Sequence, residues 1–101
     1  HFHSYTLSKA ALWTMTQTAA LALAPRIRVN AIGPGPVLAS AGQSKSDFDR
    51  QVAATPLQRA PQIEELCAAV RFILATPSMT GQMLALDSGQ HLGSASNVQN
   101  A

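Results

Sequence analysis

Ile27-Arg28-Val29-Asn30-Ala31-Ile32, closed by Gly33-Pro34-Gly35-Pro36, is the stretch that decides the fold. Its β-branched residues alternate with polar ones, which is the two-residue period of a strand. The turn behind it contains two residues without side chains. In open α/β sheets ligands bind beyond the carboxyl ends of strands, so a close-approach turn here marks a candidate binding edge, although most Gly-Pro pairs are simply turns.

Working upstream, Tyr5 to Ala24 contains neither Gly nor Pro, is rich in Ala and Leu and runs into Pro25, which predicts a helix of about five turns with Ser4 as its N-cap. Leu12, Met15, Ala19, Ala22 and Leu23 form one apolar stripe, and Leu7, Ala11, Trp13 and Leu21 carry apolar character round the rest of the circumference. Such a helix is covered on more than one side. The cover comes either from the remainder of one chain or from the same helix of a second subunit.

Downstream, Leu38 to Pro61 loses periodicity, and its small polar residues predict a mobile loop that orders over a substrate and sets its choice. A short helix from about Asp47 to Ala54, capped by Ser46, is expected within it. Gln62 to Ala75 is predicted as a helix with Ile63, Leu66, Val70, Ile73 and Leu74 on one face and Glu64 and Glu65 in its first turn. Gln82-Met83-Leu84-Ala85-Leu86 then has the continuous apolar character of a buried parallel strand, ended by Asp87-Ser88-Gly89. The tail after Leu92 is polar and is expected to be loose.

The order helix, strand, loop, helix, strand is an α/β alternation with only two strands. A doubly wound domain of six or seven βα units at roughly 30 residues each needs about 200 residues, so residues 1–101 are expected to be the C-terminal part of a single domain of a longer polypeptide. No G-x-G-x-x-G dinucleotide fingerprint occurs in the sequence.

Composition narrows the function. With 47% hydrophobic and 12% charged residues the chain is expected to bury a core, and a net charge of +2 without a basic run argues against nucleic acid or an anionic membrane as partner. No run of about 18 apolar residues is present, nor a charged start leading into an apolar export segment. The single Cys67 excludes an internal disulfide, reads as a small buried hydrophobe and fits a reducing cytoplasm. His1 and His3 lack the neighbouring ligands that a metal needs, and no metal is expected.

Tyr5-Thr6-Leu7-Ser8-Lys9 carries the candidate chemistry. In a helix, residues four apart share a face, roughly 5–6 Å apart at Cβ. A free tyrosine, with pKa about 10, is only about one part in a thousand phenolate at pH 7, and a cation one turn away favours that anion. The spacing alone is common: on the order of one Tyr in fifteen has such a Lys by chance.

Taken in order, Tyr5-x-x-x-Lys9, Arg28-Val29-Asn30-Ala31-Ile32, Pro34-Gly35-Pro36-Val37, Pro56-Leu57-x-Arg59 and Thr80-Gly81-Gln82 with Asp87-x-Gly89 strongly resemble the C-terminal part of the short-chain dehydrogenase/reductase family. The resemblance spans residues 4 to about 92 and implies a Rossmann-type doubly wound parallel sheet. It also implies NAD(P)H-linked hydride transfer to or from a small carbonyl-type substrate, in a homotetramer or homodimer. On this resemblance Tyr5 is the general acid/base, and Lys9 holds the nicotinamide ribose and lowers the tyrosine pKa. Pro34, Gly35 and Val37 border the nicotinamide, with Val37 offering backbone groups to its carboxamide. Asn30 is a structural position.

The family's partner serine would precede residue 1. Ala39, followed by Ser40, stands where many members have Thr, and Ser88 replaces a more usual Gly. The compact Ala24-Pro25-Arg26-Ile27-Arg28 junction and the Gly33-Pro34-Gly35-Pro36 turn resemble the pteridine-reductase-like branch, which implies NADPH and a pterin-type substrate under the 38–58 loop. The alternatives are a 3-oxoacyl or sugar-alcohol type reductase, or a catalytically silent fragment acting as an interaction or dimerisation module.

Overall fold

A computed structural model describes residues 2–37 and 41–93, with side chains from residue 7 onward. Three helices, α1 (Phe2–Leu23), α2 (Lys45–Ala53) and α3 (Ile63–Leu74), alternate with two strands, β1 (Ala31–Pro34) and β2 (Met83–Leu86), and a 3₁₀-helix follows at Gln90–Leu92. The amide of Ala31 donates to the Gln82 carbonyl at 2.8 Å and that of Gly35 to the Leu86 carbonyl at 3.1 Å. Equal steps in the same direction on both strands make the pair parallel, as an α/β alternation requires.

The chain divides into two compact units. One comprises His1–Gly33 and Cys67–Leu84, the other Pro34–Leu66 and Ala85–Ala101.

In the first unit α1 runs without a breaker to Leu23, and two of its last carbonyls are capped: Ala20 accepts from the Ala24 amide at 3.1 Å, and Leu23 accepts from the amides of both Arg26 and Ile27, at 3.1 and 3.0 Å. Ser4 lies inside the helix and is not its N-cap. The inward face also differs from the expected stripe: Thr16 and Ala20 are buried and Lys9 half-buried, whereas Leu12, Met15, Ala22 and Leu23 are exposed. A helix that is apolar all round does not announce its inner face by hydrophobicity. Size decides it here, because a Cβ added to Gly81 would lie 3.5 Å from the Ala20 methyl. The buried Thr16 hydroxyl is satisfied by donating to the Leu12 carbonyl at 2.8 Å.

Residues 27–30 precede β1 and are not in the strand, contrary to the sequence expectation. Their polar groups bond instead to the segment between α3 and β2. The Val29 amide donates to Thr80 Oγ1 at 3.1 Å, and its carbonyl accepts from the Gly81 amide at 2.7 Å. Arg28 Nη1 lies 3.0–3.1 Å from the carbonyl oxygens of Ile73, Thr76 and Met79, so a cation covers the negative end of α3. Asn30 Nδ2 donates to the Met79 carbonyl at 3.1 Å while its Oδ1 accepts from the Gln82 amide at 3.0 Å.

The Asn30 side chain thus sets the turn that leads into β2, and its role is structural. Asn30→Ala removes the bonds to Met79 and Gln82 and, with the Gln82 amide exposed to water, is expected to lower stability by about 0.5–1.5 kcal/mol. An unchanged urea midpoint for the full-length protein would refute the assignment.

In the second unit α2 starts earlier than expected. Its N-cap is Ser44, whose Oγ accepts from the Asp47 amide at 3.1 Å with an extended ψ of 160°, and Ser46 lies in the first turn. Helix α3, which crosses between the units in sequence, matches its expected extent, with Glu64 and Glu65 first and Arg71 last. Leu66, Ala69 and Ile73 are its half-buried positions, while Ile63, Val70 and Leu74 are exposed. Cys67 is exposed too, so it does not pack as a small hydrophobe. Strand β2 is half-buried, with Ala85 exposed. The expectation that 38–61 forms a mobile loop is only partly addressable, because 38–40 lie outside the described residues. Its distal part is tied down: Thr55 is buried and the Leu57 amide donates to the Ser88 carbonyl at 3.0 Å.

Candidate active site

Helix α1 carries Tyr5 and Lys9 one turn apart, which is the register that puts two positions on one face. The Tyr5 phenol lies outside the described side chains, as does His3, and His1 lies outside the described residues altogether. Lys9 is half-buried, and its stem runs beside Gly33 at the end of the first unit: a Cβ added there would lie 3.3 Å from Lys9 Cε, 3.7 Å from Lys9 Nζ and 2.8 Å from Met83 Cε. The missing side chain of Gly33 is the space that the tips of Lys9 and Met83 occupy. Gly33 and Pro34, expected in a turn, are the last two residues of β1.

Pro34, Gly35 and Val37 belong to the second unit, where Pro34 is exposed, Gly35 and Val37 are half-buried and Pro36 is buried. A Cβ on Gly35 would lie 2.7 Å from Asp87 Cα and 2.9 Å from Asp87 Cβ. Glycine is therefore required at position 35 by close backbone approach.

Asp87 is fully buried. Its Oδ1 accepts from the Gly89 amide at 3.1 Å, its Oδ2 accepts from the His91 amide at 3.0 Å, and His91 Nδ1 lies 2.9 and 3.1 Å from the two oxygens. The sequence contained one signal for this, an Asp and a His four residues apart beside a Gly turn.

Ser88 departs from the family's more usual Gly at a backbone φ of 56°, a left-handed conformation that strains a residue with a side chain. It is held there because its hydroxyl donates to the Arg59 carbonyl at 2.5 Å. Nearby, Arg59, Glu65, Leu86 and Ser88 help to line a cavity of about 230 Å³, with Arg59 Nη2 and Glu65 Oε1 3.1 Å apart. Ala39 and Ser40 lie outside the described residues. Among the described residues no group of three His, Cys, Asp or Glu could hold a metal, and no helix is long and apolar enough to cross a membrane.

The chain matches the family profile described as Enoyl-(Acyl carrier protein) reductase over residues 1–91. It is 42% identical over 95 residues to an uncharacterized oxidoreductase of Mycobacterium tuberculosis, covering 87% of this chain and 36% of that protein. Against the dihydromonapterin reductase of Citrobacter koseri it is 34% identical over 89 residues, covering 88% and 37%. Among solved structures, FolM alternative dihydrofolate reductase 1 from Brucella suis in complex with NADP superposes with a TM-score of 0.81 at 61% identity, covering 89% of this chain and 36% of that one. The chain therefore spans little more than a third of the length of these relatives, and its likenesses run to the pteridine-reductase-like branch. With its α/β order, its parallel strand pair and its Tyr-x-x-x-Lys helix, the chain belongs to the short-chain dehydrogenase/reductase family.

Proposed function

We propose that the full-length protein is an NAD(P)H-dependent oxidoreductase, favouring NADPH, that reduces a pterin-type substrate. The observation that carries this reading is Lys9, one turn beyond Tyr5 on α1 and in contact range of Gly33 in β1. The likeness to a Brucella enzyme named as a dihydrofolate reductase and bound to NADP supports both cofactor and substrate class.

The cofactor supplies a hydride when bound. Lys9 would hold the ribose hydroxyls, and a positive charge one helical turn from Tyr5 favours loss of the phenolic proton. Tyr5 delivers that proton to the substrate nitrogen or oxygen next to the carbon being reduced. Pro34, Gly35 and Val37 would border the nicotinamide, with the Val37 backbone offering groups to its carboxamide. Assembly as a homodimer or homotetramer belongs to the same reading, supported by the exposed Leu12, Trp13, Met15 and Leu21 on α1.

The test follows nicotinamide absorbance in the full-length protein with dihydropterins, quinones, sugar ketones and ketoacyl or enoyl thioesters, beside a direct cofactor titration. Dihydropterins with NADPH are expected to turn over fastest. Preference for a thioester would transfer the assignment to the acyl reading that the family profile's description favours. Lys9→Met deletes charge-assisted bonds of roughly 1.5–3 kcal/mol and is expected to raise the cofactor dissociation constant by about one to two decades. If the full-length protein binds no dinucleotide, the reading falls in favour of an interaction module.

A further inference from the structure

We propose that Asp87 is a positioning residue for the Gly35-Pro36-Val37 turn, with His91 as the partner that holds its carboxylate; the proposal rests on the reading that this turn borders a nicotinamide. Two contacts locate Gly35. Its amide donates to the Leu86 carbonyl at 3.1 Å, and its open side lies against the Asp87 backbone, where a Cβ would come 2.7 Å from Cα and 3.2 Å from the carbonyl carbon. Wherever the Leu86-Asp87 peptide goes, Gly35 must follow.

What fixes that peptide is the Asp87 side chain. Removing a carboxylate from water is costly unless donors replace the lost solvent, and the described residues supply the amides of Gly89 and His91 and the His91 ring Nδ1. The ring donates here, since an ionised carboxylate only accepts. The main chain adds the Gln90 amide to the Asp87 carbonyl at 3.0 Å, which closes the first turn of the 3₁₀-helix. The chain leaving β2 is thereby folded back on itself immediately behind Gly35, with Gly89 at a φ of 86°. Asp87 has no exposed atoms through which to meet a ligand. It acts through Gly35.

The experiment compares Asp87→Asn and His91→Gln with the unsubstituted full-length protein in a single turnover with bound NADPH, the rate being normalised to cofactor-loaded sites. Asparagine keeps the volume but turns one acceptor into a donor facing an amide, so the rate per loaded site is expected to fall about tenfold or more, as sub-ångström to ångström displacement of reacting groups does. His91→Gln leaves both amide bonds and is expected to move the rate in the same direction by a smaller factor. A merely structural role would reduce the number of loaded sites without changing the rate at each. Should Asp87→Asn not fold, the His91→Gln rate decides. Unchanged rates per site, together with a Tyr5→Phe variant that has lost turnover, would overturn the positioning role and leave the reductase reading standing. Absence of dinucleotide binding in the unsubstituted protein would overturn both.

Discussion

Tyr5→Phe in the full-length protein is expected to leave cofactor affinity within about twofold and to lower turnover by at least 10²–10⁴, the range for a lost general acid or base. The substitution removes one oxygen and its proton while keeping the ring, so packing along α1 is preserved. The two readouts separate because the residues have different tasks: Lys9 is the one expected to hold the ribose, and Tyr5 the one expected to move the proton. Steady-state nicotinamide kinetics beside a cofactor titration measure both. Full activity in Tyr5→Phe would reduce the tyrosine to a helix residue, whatever its spacing from Lys9.

Gly35→Ala has the second largest expected effect, and the cause is steric. A methyl at this position would stand 2.7 and 2.9 Å from Asp87 Cα and Cβ, distances at which backbone must shift. Asp87 cannot yield cheaply, being fully buried with its carboxylate bound by two amides and a ring nitrogen. The turn itself gives way instead. Overpacking of this kind costs about 1–3 kcal/mol in stability, and a displacement near 1 Å beside the reacting atoms costs about 10²-fold in turnover. Denaturant titration and single-turnover kinetics together check it. A variant with unchanged midpoint and rate would mean that position 35 has slack that the close approach denies.

Much of the architecture could be read from residues. Pro25 and the breaker-free run before it located the end of α1, and the apolar periodicity behind the Glu64-Glu65 start located α3 within a residue at each end. Asn30, read as structural, proved to bridge Met79 and Gln82. Other features depend on information that a linear pattern lacks. Two serines precede Asp47, and only the one with extended backbone and an oxygen three residues before the amide can cap α2. The buried face of α1 carries the small residues Thr16 and Ala20, and Gly81 passes beside Ala20. Residues 27–30 look like strand by alternation, yet the Thr80 hydroxyl and backbone groups between the end of α3 and β2 claim their polar groups.

The site was legible in part. Helical spacing alone relates positions 5 and 9, and it is borne out as register. That Lys9 reaches Gly33 could not be read, since the two are distant in sequence and meet only through the fold. The Asp87–His91 pair was visible as spacing but carried no meaning until Gly35 was found against its backbone.

The Arg28 guanidinium has a consequence for how the first unit breathes. One nitrogen ties the last turn of α3, Thr76 two residues beyond it and the loop before β2 to the segment that feeds β1, over sequence separations of 45, 48 and 51 residues. Fraying of the last turn of α3 therefore cannot remain local: releasing Ile73 and Thr76 also loosens Met79, and with it the Asn30 bridge to Gln82. The helix end, the connecting loop and the start of both strands are tied to open and close as a single cooperative element, a foldon assembled from distant stretches of chain.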